Sequence, residues 1–330
     1  MTLVLGIDGG GTRTRAILLR EDASVAGCGI AGPSNYDDVG IDAARVNIGA
    51  AVRTAAAAAG AAPSGFHAAF FGMAGVVCNA DRAVIEQIAL DLDLADPASI
   101  EIDHDIRIAL AGGLAGKEGI AVIAGTGSAA YGRRDDGRSW RCGGWGSLLD
   151  DGGSAYDLGR RALVAAVRAA DGRERATTLF EAVLQSLEIA DIDQVLHRIH
   201  HRSLTRSEIA ALAPLLTSAA AEGDAVALDL MRDAAREIAL LVRVISGKLD
   251  FDRCAPEVVL LGGLAESCTL YRDMLQSAIL GDVPSARIQG PRLSGLIGAG
   301  LLALRLAGVN ISAPLIDRVL SQWTSAIVPS

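Results

Sequence analysis

Apolar residues cluster in short runs near the start of the chain and spread to helical spacing further on. Residues 3–7 are apolar and end in Asp8, Gly9, Gly10, Gly11 and Thr12. Residues 15–19 and 25–30 are two more apolar runs, separated by the polar turn 21–24, and predict a strand meander. Residues 42–62 are rich in alanine and predict a helix. A strand at 67–71, a helix at 81–92, a strand at 99–104 and a helix from 106 to 111 follow, giving the order β-β-β-α-β-α-β-α. The pattern then restarts. Residues 120–124, 129–133 and 139–142 predict a second meander, with Asp135-Asp136-Gly137 as one turn. A long, mostly helical stretch runs from 154 to 249. A strand at 257–261, a helix at 271–280, a strand at 286–289 and a helix at 294–307 close the copy. The second half thus repeats the first with a helical insertion.

Each copy begins with a strand that runs into a glycine turn. The first turn is Asp8-Gly9-Gly10-Gly11-Thr12 and the second is Gly125-Thr126-Gly127-Ser128. Glycines beside a hydroxyl residue let the backbone curl so that its N–H groups face an anion. Two such turns at the heads of related segments predict two related domains gripping one polyphosphate between them. Asp8, at a strand end, suits Mg²⁺ held through water.

Length and composition narrow the alternatives. The chain has 330 residues, 51% of them hydrophobic, enough for a core in each of two domains. The formal net charge of −9 argues against a nucleic-acid or membrane-surface role. A small anionic ligand stays compatible with it, because glycine turns bind phosphate through backbone dipoles. Five scattered cysteines without a C-x-x-C pair predict reduced thiols in a cytoplasmic protein. No signal peptide or membrane span is predicted.

Two motifs imitate phosphate signatures. Residues 112–118, Gly-Gly-Leu-Ala-Gly-Lys-Glu, are one residue short of a P-loop and carry Glu after the Lys. Gly27-Cys28-Gly29-Ile30-Ala31-Gly32 fits G-x-G-x-x-G literally, but it lies on a strand and runs into Pro33 instead of opening a helix. Neither predicts a nucleotide site.

Other residues offer chemistry. Asp103 and Asp105 fall on one face of a period-2 strand and compete as a candidate base. The segment 142–154 concentrates glycines around Trp145, Asp150 and Asp151, and suits a polyol: carboxylates and backbone groups bind hydroxyls while an aromatic ring covers an apolar sugar face. His197, His200 and His201 have helical spacing and read as a solvated helix face.

Together these motifs resemble the N-acetylglucosamine kinase group of the BadF/BadG/BcrA/BcrD ATPase family, in the sugar kinase, Hsp70 and actin superfamily. Gly125-Thr126-Gly127-Ser128, then Cys142-Gly143-Gly144-Trp145-Gly146, then Asp151-x-Gly153-Ser154 is similar to the family's G-T-G-S, G-G-W-G and G-D-E-G-S sequence. Residues 8–12 look like its first phosphate loop, and 258–264, with Gly262 and Gly263, like its adenosine loop. Ser34-Asn35 and the 144–146 loop with Asp151 match sugar-contacting positions. Asp105 matches the catalytic aspartate, which on this resemblance takes precedence over Asp103. The chain departs from the family pattern at Gly152, where the pattern has Glu.

The resemblance implies two actin-like (ribonuclease H-like) α/β domains with a cleft between them. Residues 1–114 would form one domain, with 310–330 packing back on it, and residues 115–309 the other. It implies ATP-dependent phosphorylation of an amino sugar, N-acetylglucosamine or glucosamine, at the 6-hydroxyl. Asp105 would be the base, and Asp8 would hold Mg²⁺. Gly9, Gly10, Gly11, Thr12, Gly125, Thr126, Gly127, Ser128, Gly262 and Gly263 would bind ATP. Ser34, Asn35, Gly144, Trp145, Gly146 and Asp151 would bind sugar. A homodimer is also implied. Two other readings are an ATPase that activates a partner enzyme and a non-catalytic sugar sensor.

Overall fold

The computed structural model describes residues 2–202, 204–251 and 254–323. The chain forms two compact units, Met1–Lys117 with Pro291–Ser330, and Glu118–Gly290.

The first unit starts with strands β1 (Leu3–Gly9), β2 (Thr14–Arg20) and β3 (Val25–Ala31). The one-turn helix α1 (Tyr36–Val39) leads into α2 (Ile41–Ala59). Then come β4 (Ala68–Met73), α3 (Asn79–Asp91), β5 (Ile100–His104) and α4 (Asp105–Gly113). The sheet order is β3-β2-β1-β4-β5. The β1–β2 and β2–β3 pairs are antiparallel, whereas β1–β4 and β4–β5 are parallel.

The second unit repeats this plan. Its strands are β6 (Gly119–Ala124), β7 (Ser128–Arg133) and β8 (Ser139–Gly143). The helical insertion consists of α5 (Ala155–Ala170), α6 (Leu179–Leu187), α7 (Gln194–Arg202), α8 (Arg206–Ala210), α9 (Ala213–Ala221) and α10 (Ala225–Lys248). Strand β9 (Glu257–Leu261), helices α11 (Gly263–Ser267) and α12 (Thr269–Asp282), and strand β10 (Arg287–Gln289) complete it. The order β10-β9-β6-β7-β8 mirrors that of the first sheet. The His200 and His201 side chains lie outside the described residues.

The chain then returns to the first unit as α13 (Gly295–Leu306) and α14 (Ala313–Trp323). This return begins at Pro291, not near residue 310 as the sequence suggests. The reason is packing: Leu296, Ile297 and Leu301 of α13 share a core with Val4, Ile17 and Phe70. A Cβ at Gly6 would overlap the Gly300 backbone, so β1 and α13 touch main chain to main chain.

The same physics explains both imitation motifs. Cβ atoms at Gly27 and Gly29 would overlap the carbonyls of Ala55 and Ala51, so these glycines seat α2 on β3. A Cβ at Gly112 would overlap the Ser294 carbonyl, so that glycine lets α4 cross the start of α13. Among the described residues, no single helix is long and apolar enough to cross a membrane.

Candidate active site

The turn after β1 is closed by the Gly10 N–H donating to the Arg13 carbonyl at 3.0 Å. The Gly10 carbonyl accepts from the N–H groups of Ser34 (3.0 Å) and Asn35 (3.4 Å), which fastens residues 34–35 to this turn. Gly9 is enclosed, since a Cβ there would lie 2.7 Å from Ser34 Oγ. Gly10 is open: its nearest neighbour would be Arg13 O at 3.4 Å. Gly11 and Thr12 are exposed. The turn therefore offers accessible backbone at residues 10–12.

Asp8 faces Arg15 across the β1–β2 register and forms an ion pair with it. Sequence reasoning missed Arg15, although the hairpin register could have revealed it. Among the described residues no group of three or more His, Cys, Asp or Glu could cage a metal. A lone carboxylate, already partly neutralised by arginine, fits a hydrated Mg²⁺ better than a directly ligated ion.

Ser34 is fully buried and its Oγ has no hydrogen-bond partner. Asn35 is less buried. Its Nδ2 donates to Asp38 Oδ2 at 2.6 Å, while its Oδ1 is buried without a partner among the described residues. A buried acceptor without a donor costs roughly 1–3 kcal/mol, so this atom suits a ligand N–H or O–H.

Asp103 and Asp105 do not share a strand face. Strand β5 ends at His104, and Asp105 is the first residue of α4. Asp103 is buried and ion-paired with Arg82 and Arg107. Asp105 is partly exposed in the first helical turn, where the helix dipole favours a carboxylate.

In the second unit the Gly125 N–H donates to the Gly127 carbonyl at 3.0 Å. The Gly125 and Thr126 carbonyls accept from Ala155 N (2.8 Å) and Tyr156 N (3.2 Å), so the turn is fixed to the start of α5. Gly262, at φ +100°, could carry no side chain: a Cβ there would lie 2.6 Å from the Ala124 carbonyl. The loop after β9 thus rests against the 125–128 turn. Gly263 and Thr126 are exposed.

Asp151 is drawn into this turn. Its Oδ1 accepts from Ser128 N at 3.1 Å and its Oδ2 from Arg206 Nη2 at 2.7 Å. With only 2% of its surface exposed and both oxygens engaged, it braces residues 125–128. Arg206 carries no local sequence signal, being 55 residues away on α8. The rest of the segment is equally tied down. Ser128 Oγ donates to Gly152 O at 2.8 Å, and the buried Tyr271 hydroxyl donates to Gly153 O at 2.7 Å. Burial pushes the Tyr271 phenol far above its ordinary pKa, so it stays a donor.

Gly143, Gly144 and Gly146 all have positive φ, near +80°. They turn the chain so that Trp145, 74% exposed, stands on the surface with Leu148 and Leu149. Gly152 abuts α10. A Cβ there would lie 3.1 Å from Glu237 Cβ and 3.5 Å from its Oε2. A carboxylate from α10 therefore lies beside the position where the family pattern has Glu.

The sequence model of the BadF/BadG/BcrA/BcrD ATPase family matches residues 5–303. The chain belongs to this family. Among its relatives, the N-acetylmuramic acid/N-acetylglucosamine kinase of Clostridium acetobutylicum is 31% identical over 92% of this chain and 98% of its own length. The N-acetyl-D-glucosamine kinase of Dictyostelium discoideum is 28% identical over 92% and 98%. A solved structure from Chromobacterium violaceum, provisionally named N-acetylglucosamine kinase, superposes with a TM-score of 0.71 at 27% identity, covering 92% of this chain and 99% of that one. The fold of this family member is accordingly the two-domain, actin-like α/β fold, each domain with its own five-stranded sheet.

Proposed function

We propose that this family member transfers the γ-phosphoryl group of ATP to an amino sugar, N-acetylglucosamine or glucosamine, at its 6-hydroxyl. The observation that carries the reading is the braced 125–128 turn, set in a chain that is similar over nearly its full length to amino-sugar kinases. In this reading residues 10–12 and Thr126-Gly127 contact phosphates, and the Gly262-Gly263 loop contacts the nucleoside. Asp8 would hold Mg²⁺ through water, and the ion would supply charge neutralisation on the phosphates. Asp105 accepts the proton of the attacking hydroxyl. Little covalent chemistry is asked of the protein, because phosphoryl transfer rests on alignment and charge stabilisation.

Asn35 Oδ1 is offered to a sugar hydroxyl or amide, and the exposed Trp145 ring to an apolar sugar face. Asp151 acts indirectly, by holding the phosphate turn. An ADP-release assay over a panel of hexoses, hexosamines and muramic-type sugars tests the proposal. ADP release that depends on an amino sugar supports it; equal release without sugar overturns it.

A further inference from the structure

We propose that Arg206 is a nucleotide-phosphate ligand, delivered to the 125–128 turn by the helical insertion and held beside it by Asp151. The inference rests on the phosphate role proposed for that turn. It starts from an asymmetric ion pair: the Asp151 carboxylate is buried, whereas the Arg206 side chain is 47% exposed. Asp151 cannot leave, since it also accepts from Ser128 N at 3.1 Å. Arg206 is the movable partner.

The guanidinium does not merely pass near the turn. A Cβ at Gly127 would overlap Arg206 Nη2 and lie 2.9 Å from Asp151 Oδ1. The absence of a side chain at Gly127 is what admits the guanidinium against the turn's backbone. A guanidinium has five N–H donors in a planar fork suited to phosphate oxygens. Among the described residues, the Arg206 guanidinium makes one hydrogen bond, to Asp151. Donors thus stay available beside the backbone that the phosphate would approach.

A structural role explains this arrangement less well. Ser128 N and Ser128 Oγ already hold the 151–152 segment to the turn. The charge instead answers a requirement of the site. Asp151 places a negative charge under a turn meant for an anion, and Arg206 offsets it. When phosphate arrives, the fork can bind both the carboxylate and a phosphate oxygen without Asp151 moving.

The test is calorimetric titration of ATP, ADP and adenosine, without sugar, into the wild-type protein, Arg206→Gln and Arg206→Lys, with melting temperatures recorded in parallel. Arg206→Gln is expected to weaken ATP binding on the order of 10- to 100-fold, the loss of one charge-assisted contact. Adenosine binding should stay unchanged, while the melting temperature falls because the buried Asp151 loses a cationic partner. Arg206→Lys, which keeps the charge and loses the fork, should fall between the two. ATP affinity of the wild type should also fall more steeply with salt than that of Arg206→Gln. Equal ATP affinity in wild type and Arg206→Gln overturns the proposal, as does an equal loss for adenosine. A wild-type protein that binds adenosine but gains nothing from the phosphates overturns the phosphate reading of the turn itself.

Discussion

Arg107 Nη1 donates to Asp103 Oδ2 at 2.8 Å, from the first turn of α4 back to the strand that precedes it. Arg82 Nη2 reaches the other oxygen, also at 2.8 Å. Burial alone would raise the Asp103 pKa, but His104, Arg107 and Arg82 outweigh it and hold the carboxyl below its ordinary range. Asp103 is therefore committed to joining β5, α3 and α4. This separates it from Asp105, only two residues on, in a way that the strand pattern could not.

Asp103→Asn is expected to cost about 3 kcal/mol, because it removes the buried carboxylate that Arg107 and Arg82 both engage. The folded pKa is lowered, so this stabilisation is present above the unfolded pKa of about 3.9 and disappears as pH falls through the folded value. Denaturant melts should show a wide gap between wild type and variant at pH 7 that closes below about pH 4.

Asp105→Asn should do the opposite. It keeps the size of the side chain and removes the proton acceptor, so kcat should fall roughly 10²–10⁴-fold with little change in melting temperature or ATP affinity. Steady-state kinetics of both variants would decide. Loss of turnover in Asp103→Asn with normal turnover in Asp105→Asn would reverse the assignment.

The glycines separate into those the fold needs and those the ligand needs. Gly10 has room for a methyl group and an ordinary φ, so Gly10→Ala should fold with an unchanged melting temperature and still bind ATP more weakly. Gly262→Ala should lose stability as well, since its φ of +100° and the Ala124 carbonyl both oppose a side chain. Thermal melts with and without ATP distinguish the two cases.

Asn35→Ala should raise the sugar KM on the order of 10-fold while leaving ATP affinity intact, because it deletes a buried acceptor that has no partner among the described residues. An unchanged KM would move the acceptor site away from residues 34–35.

Gly152→Glu would set a second carboxylate beside Glu237, within about 3.5 Å of where its Cβ would lie. The single variant should be destabilised by crowding and like-charge repulsion. Gly152→Glu with Glu237→Ala should recover stability and narrow the range of sugars accepted. Additive effects in this double-mutant cycle would show that the two positions do not share a space.

The sequence by itself determined the architecture. Period-2 and helical spacing are local signals, and they recur in the same order in both halves, so the duplicated β-β-β-α-β-α-β-α plan and both glycine turns were legible. The family motifs, being contiguous, were legible too. Tertiary structure decided what depends on residues far apart in the chain. Gly27, Gly29 and Gly112 have the spelling of nucleotide loops, yet each is a glycine because another backbone lies against it. Asp151 has the spelling of a sugar ligand, and the fold also ties both its oxygens to Ser128 and Arg206. Helix α13 carries the sequence pattern of the second half but packs on β1, where its apolar face finds Val4 and Ile17. Spacing along a chain records which residues share a face; it holds no record of which distant side chain fills the space opposite.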